Sequence, residues 1–204
     1  MKFENTQVFN IEGAIRGMKF PMKSTSFTTG NEIDTRDLLV ANKLVHAGIE
    51  DNAAHCKFLR QILISVDITA PRYWWSEFDT YKVGTTADSE STMHKILKDA
   101  DNLTLADFQV DKPFEGYIQQ AINTLKAIAK DERFDEIEKL RGVKQILPES
   151  FLQKRHITMN YEVVRNMVKQ RRHHRLTEWK RDFTKWVQAE LPYSDLFIYG
   201  IRSL

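Results

Sequence analysis

Apolar residues recur at helical spacing in several separate stretches of this chain, and this pattern most strongly limits the folds open to it. Helices are predicted from this spacing at 34–46, 113–139, 161–169 and 178–190. Between the first two, Phe58 to Ile68 is apolar and rich in β-branched side chains, which predicts a strand that Ala70 and Pro71 end. A short strand is also predicted near Val8. The chain is therefore expected to combine helices with a few strands.

Glycine and proline mark the predicted breaks between these elements. Gly48 is expected to end the helix 34–46, and the segment 13–24 (GAIRGMKFPMKS) is expected to form a loop near a helix start. The stretch 72–96 predicts a helical turn followed by a polar loop, because Gly84 lies among threonines and serines. Pro148 and the leucine before it are expected to open another helical region.

Size and composition favour one cytoplasmic domain. A chain of 204 residues with 42% hydrophobic content can bury one good core, so residues 1–204 are expected to form a single domain. The single cysteine, Cys56, rules out an internal disulfide and fits a reducing compartment. No apolar run approaches the roughly 20 residues that span a bilayer, and the start MKFENTQVFN lacks the apolar core of a signal peptide. A cytoplasmic protein without membrane contact is expected.

Positive charge is concentrated in the segment 160–179 (NYEVVRNMVKQRRHHRLTEW), which is predicted to be one helix. Its cations are Arg165, Lys169, Arg171, Arg172 and Arg175. Guanidinium groups match phosphate oxygens in geometry and charge, so a phosphate-bearing ligand is the first hypothesis. A nucleic-acid backbone and a solvated basic face are the alternatives. The net charge of only +2 disfavours a nonspecific nucleic-acid binder. His173 and His174 lack a carboxylate at ligand spacing, so no metal site is predicted.

The chain contains the strings GAIRGMKF, LLVANKLVHAG, VDITAP and ILPESFLQKRHITMNYEVVRNMVKQR, and together they resemble segments of the flavin-dependent thymidylate synthases. The segment GAIRGMKF resembles an early arginine-containing segment of that family, and LLVANKLVHAG with the following His55 resembles its helix, turn and histidine. The string VDITAP resembles the strand before the family's signature motif. The longest similarity is ILPESFLQKRHITMNYEVVRNMVKQR, whose matching residues are Leu147, Pro148, Thr158, Asn160 and Arg171.

The resemblance implies roles for individual residues. Arg171 takes the place of the arginine that polarises the pyrimidine ring of deoxyuridylate, and Lys154 that of an arginine at the nucleotide phosphate. Asn160 and His55 take the places of flavin-binding residues. Arg172 and Arg175 are expected to add substrate-binding charge.

The signature motif is where this chain departs from the family. Counting from Pro71, the family's Arg-His-Arg falls on Thr80, Tyr81 and Lys82, so only one of three cations is retained. Downstream, the resemblance assigns cofactor contacts to Lys82, Thr85 and Ser89, and it assigns a substrate-binding and catalytic role to Ser91.

The resemblance implies an α/β fold, with an antiparallel sheet flanked by helices, and a homotetramer. It also implies reductive methylation of dUMP to dTMP, with FAD as cofactor and NADPH and methylenetetrahydrofolate as co-substrates. The altered triplet keeps a second hypothesis open, which is an FAD-independent nucleotide-binding scaffold or pyrimidine-modifying enzyme. A third hypothesis is a nucleic-acid-binding module that uses the basic segment with Trp74 and Trp75.

Overall fold

The computed structural model describes residues 1–22, 32–50 and 54–201, and within them the chain forms an antiparallel four-stranded sheet with helices. The expected fold class is therefore confirmed. The strands are β1 (Lys2–Phe9), β2 (Leu63–Pro71), β3 (Thr85–Ser89) and β4 (Leu152–Asn160). Their order across the sheet is β1-β2-β4-β3.

The α-helices differ widely in length. They are α1 (Ile11–Lys19), α2 (Thr35–Glu50), α3 (Arg72–Phe78), α4 (Thr92–Lys95), α5 (Glu115–Lys130), α6 (Glu136–Ile146), α7 (Tyr161–Arg171), α8 (Thr184–Glu190) and α9 (Ser194–Phe197). Short 3₁₀ helices lie at Phe20–Met22, Ala54–Gln61, Ala100–Asn102, Leu105–Asp107 and Lys112–Phe114, and a π-helix lies at Glu178–Phe183. None of the helices in the described ranges is long and apolar enough to cross a bilayer.

The sequence predicted β2 but not β3 or β4. Along β2, Ile64, Val66 and Ile68 are fully buried while the alternate residues are partly exposed, the period of a strand with one buried face. In β4, Ile157 and Met159 alternate in the same way. The region after Pro148 was expected to be helical, but it contains the strand β4. This strand is difficult to recognise in the sequence because only its last residues alternate between apolar and polar side chains.

Two glycine-based predictions were wrong. The segment 13–24 was expected to be a loop, but α1 runs through it to Lys19, because Ile11, Ala14, Ile15 and Met18 form a buried stripe at helical spacing. Its last two positions, 23 and 24, lie outside the described residues. Gly48 does not end α2, which continues to Glu50. A Cβ at Gly48 would lie 2.5 Å from the Sγ of Cys56, so this glycine permits close packing instead of ending a helix.

The chain divides into two compact units. The first comprises residues 1–2, 68–80 and 88–155, and its core includes Ile122 and Leu125 from α5 and Val143 from α6. The second comprises the described residues of 3–67, 81–87 and 156–204. Its largest fully buried side chains include those of Tyr161 and Trp179.

Candidate functional site

Arg171, the residue predicted to bind the substrate pyrimidine, is the last residue of α7 and lies in the second unit. Its side chain is half-buried, and its Nε donates a hydrogen bond of 3.0 Å to the hydroxyl of Tyr81. The guanidinium carbon lies 5.6 Å from the ring centroids of both Tyr81 and Trp179. Two aromatic faces and one hydrogen bond therefore fix the direction of this positive charge.

Tyr81 is itself held in place on both sides. Its hydroxyl donates to the Oε1 of Gln170 at 3.0 Å while accepting from Arg171, and its ring lies 6.3 Å from that of the fully buried Trp179. The Thr85 hydroxyl donates to the Tyr81 carbonyl oxygen. Side-chain contacts thus attach the loop before β3 to the end of α7. No pattern in the sequence predicts that these side chains meet.

Asn160 caps α7 at its N-terminus. Its side-chain oxygen accepts a hydrogen bond of 3.0 Å from the backbone N–H of Val163. Its Nδ2 lies 3.0 Å from the point where a Cβ on Gly84 would stand. Gly84 has a φ of +79°, so a residue without a Cβ is needed there on both grounds. The predicted flavin-binding asparagine therefore has its oxygen in a helix cap, and its NH₂ group faces the loop that contains Lys82 and Thr85.

Two of the predicted cations of the basic segment, Arg172 and Arg175, do not share a helix with Arg171, whereas Arg165 and Lys169 lie on α7 with it. The prediction of one helix over 160–179 was wrong, because α7 ends at Arg171 and the π-helix begins at Glu178. Arg172 and Arg175 are exposed in the intervening turn. Lys82, the one cation retained from the triplet, is also exposed. These three side chains are accessible to a ligand phosphate, but the fold does not pre-orient them as it does Arg171.

His55 lines a cavity of about 240 Å³ in the second unit. The cavity also takes Gly17, Met18 and Pro21 from the α1 region and Leu44 from α2, with Lys57, Phe58 and Gln61. Two of the strings that carry the family resemblance, GAIRGMKF and the helix with its following histidine, therefore meet at one cavity. The imidazole of His55 is exposed and can reach a ligand there.

Ser91 and Lys154 lie in the first unit, where Ser91 lines a cavity of about 170 Å³ with Thr92 and Gln153. Lys154 is half-buried, and its backbone pairs with that of Glu90 through a 3.0 Å hydrogen bond from the Glu90 N–H to the Lys154 carbonyl. Ser89, predicted to contact the cofactor, is exposed at the end of β3.

A lysine that the sequence analysis missed contacts Thr92, one of the residues that line this cavity. The Nζ of Lys144 donates to the Thr92 hydroxyl at 2.6 Å. Burial lowers the pKa of Lys144, and the neighbouring Arg72 lowers it further. Lys144 lies in a charged helix, and no spacing in the sequence distinguishes it from a surface lysine.

The tryptophans proposed to stack on nucleic-acid bases are in the core. Trp74 and Trp75 are 0% and 1% exposed. Arg155, which the sequence analysis also missed, lies over the Trp75 ring at 4.3 Å and donates to Asp79 at 2.8 Å. The nucleic-acid hypothesis therefore loses its aromatic platform, because bases cannot reach buried rings.

The residues at the family's Arg-His-Arg positions do not fit the phosphates of FAD. The Thr80 hydroxyl donates to the carbonyl of Glu77 at 2.8 Å. The Tyr81 hydroxyl is used by Arg171 and Gln170. Lys82 alone presents a positive charge. A single flexible ammonium lacks the fixed fork geometry that two arginines offer to a pyrophosphate.

Comparison with solved structures identifies the fold. The chain is similar to the crystal structure of flavin-dependent thymidylate synthase ThyX from Helicobacter pylori complexed with FAD and dUMP, with a TM-score of 0.78 and 14% identity over 97% of this chain and 98% of that one. A second crystal structure of ThyX from Helicobacter pylori with FAD and dUMP gives a TM-score of 0.80 and 13% identity over 100% of both chains. No protein-family model matches the sequence, and no curated protein matches it. The resemblance seen in the sequence is confirmed at the level of structure: this chain has the fold of the flavin-dependent thymidylate synthases.

Proposed function

We propose that the protein binds a pyrimidine deoxynucleotide at Arg171 and modifies its ring, as the resembling family does when it methylates dUMP. The observation that carries this proposal is the immobilised guanidinium, which Tyr81 bonds and Trp179 flanks. Catalysis gains most from charges that are already oriented before the reaction. A fixed donor of this kind stabilises negative charge that develops on a pyrimidine carbonyl oxygen when a nucleophile attacks the ring.

The remaining substrate contacts are assigned by chemistry and accessibility. Lys154 and the exposed Arg172 and Arg175 supply positive charge for the 5′-phosphate. Ser91 lines a cavity and supplies a hydroxyl that donates to, or accepts from, the substrate. In the homotetramer that we propose, the residues of one site come from more than one subunit.

Flavin-dependent thymidylate synthesis is the first form of this function. His55, Lys82, Thr85, Ser89 and Asn160 would hold FAD, and NADPH and methylenetetrahydrofolate would be co-substrates. His55 beside its cavity and the Asn160 amide above Gly84 support it. The altered triplet at Thr80, Tyr81 and Lys82 does not support it.

The contacts of Tyr81 favour a second form of this function, which is nucleotide binding or pyrimidine modification without FAD. The Tyr81 hydroxyl accepts a hydrogen bond from Arg171 and donates its proton to Gln170, so that proton is not available to a cofactor phosphate in this arrangement. A chain that only binds dUMP does not need a site for the FAD pyrophosphate, whereas a flavoenzyme does.

Calorimetric titration of the full chain with dUMP, followed by FAD in the presence of dUMP, tests the proposal. The matched variants are Arg171→Lys and Arg181→Lys, since Arg181 is an exposed arginine paired with Asp182 outside the site. We expect dUMP binding that Arg171→Lys abolishes and Arg181→Lys leaves intact. Binding of FAD, seen as flavin absorbance that stays with the protein, would support the first form. Binding of dUMP without binding of FAD would support the second. Failure to bind dUMP would reject both.

A further inference from the structure

A chain of hydrogen-bonded polar side chains crosses three strands of the second unit, apart from the proposed nucleotide contacts. The Nδ1 of His156 on β4 lies 2.8 Å from the Oδ1 of Asp67 on β2. The Nε2 of the same imidazole lies 3.3 Å from the Oγ of Ser65, also on β2. Asn5 on β1 donates to the second oxygen of Asp67 at 2.8 Å. A carboxylate, an imidazole and a primary hydroxyl are thus linked in series.

The order of these contacts determines the tautomer of the imidazole. A carboxylate accepts hydrogen bonds only, so the Nδ1 of His156 carries the proton that it shares with Asp67. The neutral ring then presents an unprotonated Nε2 to the Ser65 hydroxyl. Asn5 holds the other carboxylate oxygen and so limits rotation of Asp67. This is the connectivity by which a general base activates a serine, namely a nucleophile bonded to a base that a third group orients.

The sheet fixes these groups while leaving them accessible to solvent. Ser65 and Asp67 alternate with Ile64, Val66 and Ile68, whose side chains are fully buried on the opposite face. Their backbone positions are therefore set by the core. The His156 side chain is 50% exposed and that of Asp67 is 21% exposed. A small molecule can approach the hydroxyl from the open face.

We propose that Ser65 is an activated nucleophile and that this face of the sheet hydrolyses small carboxylic esters with good leaving groups. The Ser65 Oγ bonds to the ester carbonyl carbon while the Nε2 of His156 takes the hydroxyl proton, and Asp67 stabilises the imidazolium. The bond to the leaving alcohol breaks and that alcohol receives the proton. Water then attacks the acyl-serine by the same route and releases the acid, which restores the free hydroxyl.

The openness of the site sets the class of substrate. On an exposed face, water supplies much of the hydrogen bonding to the developing oxyanion. In specialised hydrolases, loss of one hydrogen-bond donor of the oxyanion hole lowers the rate by about 10²–10³-fold, so an open site is expected to be a weaker catalyst. Unactivated esters and amides are therefore expected to be inert. Phenyl esters, whose leaving groups need little assistance, and fluorophosphonates, which report activated serines, are the probes that fit.

The test combines p-nitrophenyl acetate turnover with fluorophosphonate labelling, the adduct being placed by peptide mass spectrometry. The variants are Ser65→Ala and His156→Gln, and the control is Ser76→Ala, an exposed serine whose hydroxyl donates to the Arg72 carbonyl. We expect an adduct on Ser65 and a rate that falls about 10²-fold in His156→Gln, the usual contribution of a general base. Ser76→Ala should match the unaltered protein.

Two further readouts separate catalysis from structure. Thermal melting shows whether each variant is folded. Asp67→Asn is a second variant that tests catalysis, because an amide no longer favours the His156 tautomer with its proton on Nδ1. Labelling of Ser65 should therefore be slower in this variant. An unlabelled Ser65, an adduct only at other residues, or equal labelling in folded His156→Gln would each overturn the proposal.

Discussion

The Nε of Arg171 donates a hydrogen bond of 3.0 Å to the hydroxyl of Tyr81, a residue that the family resemblance placed at the histidine of the flavin-binding triplet. One substitution thus has two effects in this chain. The histidine expected at the cofactor is absent. The tyrosine in its place supplies a hydroxyl that holds Arg171, the arginine expected at the substrate. This geometry is the basis for the proposal that the chain binds a nucleotide at Arg171.

Replacing Tyr81 by phenylalanine should weaken dUMP binding while the fold persists. The ring that packs against Trp179 remains, but the hydroxyl that accepts from Arg171 is lost. A hydrogen bond to a charged group contributes about 1.5–3 kcal/mol, so we expect a loss in affinity of about tenfold or more, measured by calorimetry. Gln170→Leu removes only the partner of the Tyr81 proton and should cost less. Equal affinities in Tyr81→Phe and the unaltered protein would contradict the positioning role.

Replacing Gly84 by alanine should destabilise the second unit. The new Cβ would stand 2.9 Å from the Cγ2 of Val163 and 3.0 Å from the Nδ2 of Asn160, at a φ of +79°. Backbone strain of this kind costs about 1–3 kcal/mol, to be read from urea unfolding. Gly116→Ala is the matched control. Nothing lies within 4 Å of its added Cβ, and alanine is favoured over glycine in a helix by about 1 kcal/mol, so stability should rise. A neutral Gly84→Ala would refute the steric account.

Replacing Arg165 by methionine should also destabilise the second unit. Its Nη1 donates to the Sγ of Cys56 and its Nη2 to the carbonyl of Val45, both at 3.1 Å, and both acceptor residues are fully buried. An acceptor left without its donor in the core costs about 1–3 kcal/mol. Lys169→Met on the same helix changes an exposed side chain and should shift the unfolding free energy by less than about 0.5 kcal/mol. Similar effects of the two changes would show that the Arg165 contacts are not stabilising.

Alkaline pH should weaken the fold through two tyrosines. Burial raises the pKa of Tyr161, and burial together with Asp195 raises the pKa of Tyr199 to about 12. Because an unfolded tyrosine ionises near pH 10, the unfolded chain releases protons first, and stability falls as the pH rises above about 10. The urea midpoint should therefore decrease over this range. Tyr199→Phe, which cannot ionise, should make the decrease smaller; an unchanged slope would exclude Tyr199 as a source.

Local patterns in the sequence were sufficient for the helices whose buried stripe is long. The spacing in α2 and α5 predicted helices that the structure contains. The apolar run from Phe58 to Ile68 predicted β2, although its first residues belong to the 3₁₀ helix Ala54–Gln61. β3 and β4 were missed because most of their residues are polar and few of them are buried. Their strand conformation depends on neighbours in the sheet, which no local window includes.

The sequence by itself determined the elements with periodic apolar faces, the concentration of basic residues near the C-terminus, and the short strings that pointed to the fold. It also singled out Arg171 as a candidate substrate residue. Only the tertiary structure decided that Tyr81 and Trp179 hold this arginine and that Trp74 lies in the core. The physical reason is that periodicity reports which face of one element is buried, whereas a site is made by side chains far apart in the chain whose directions are set only when separate elements pack together.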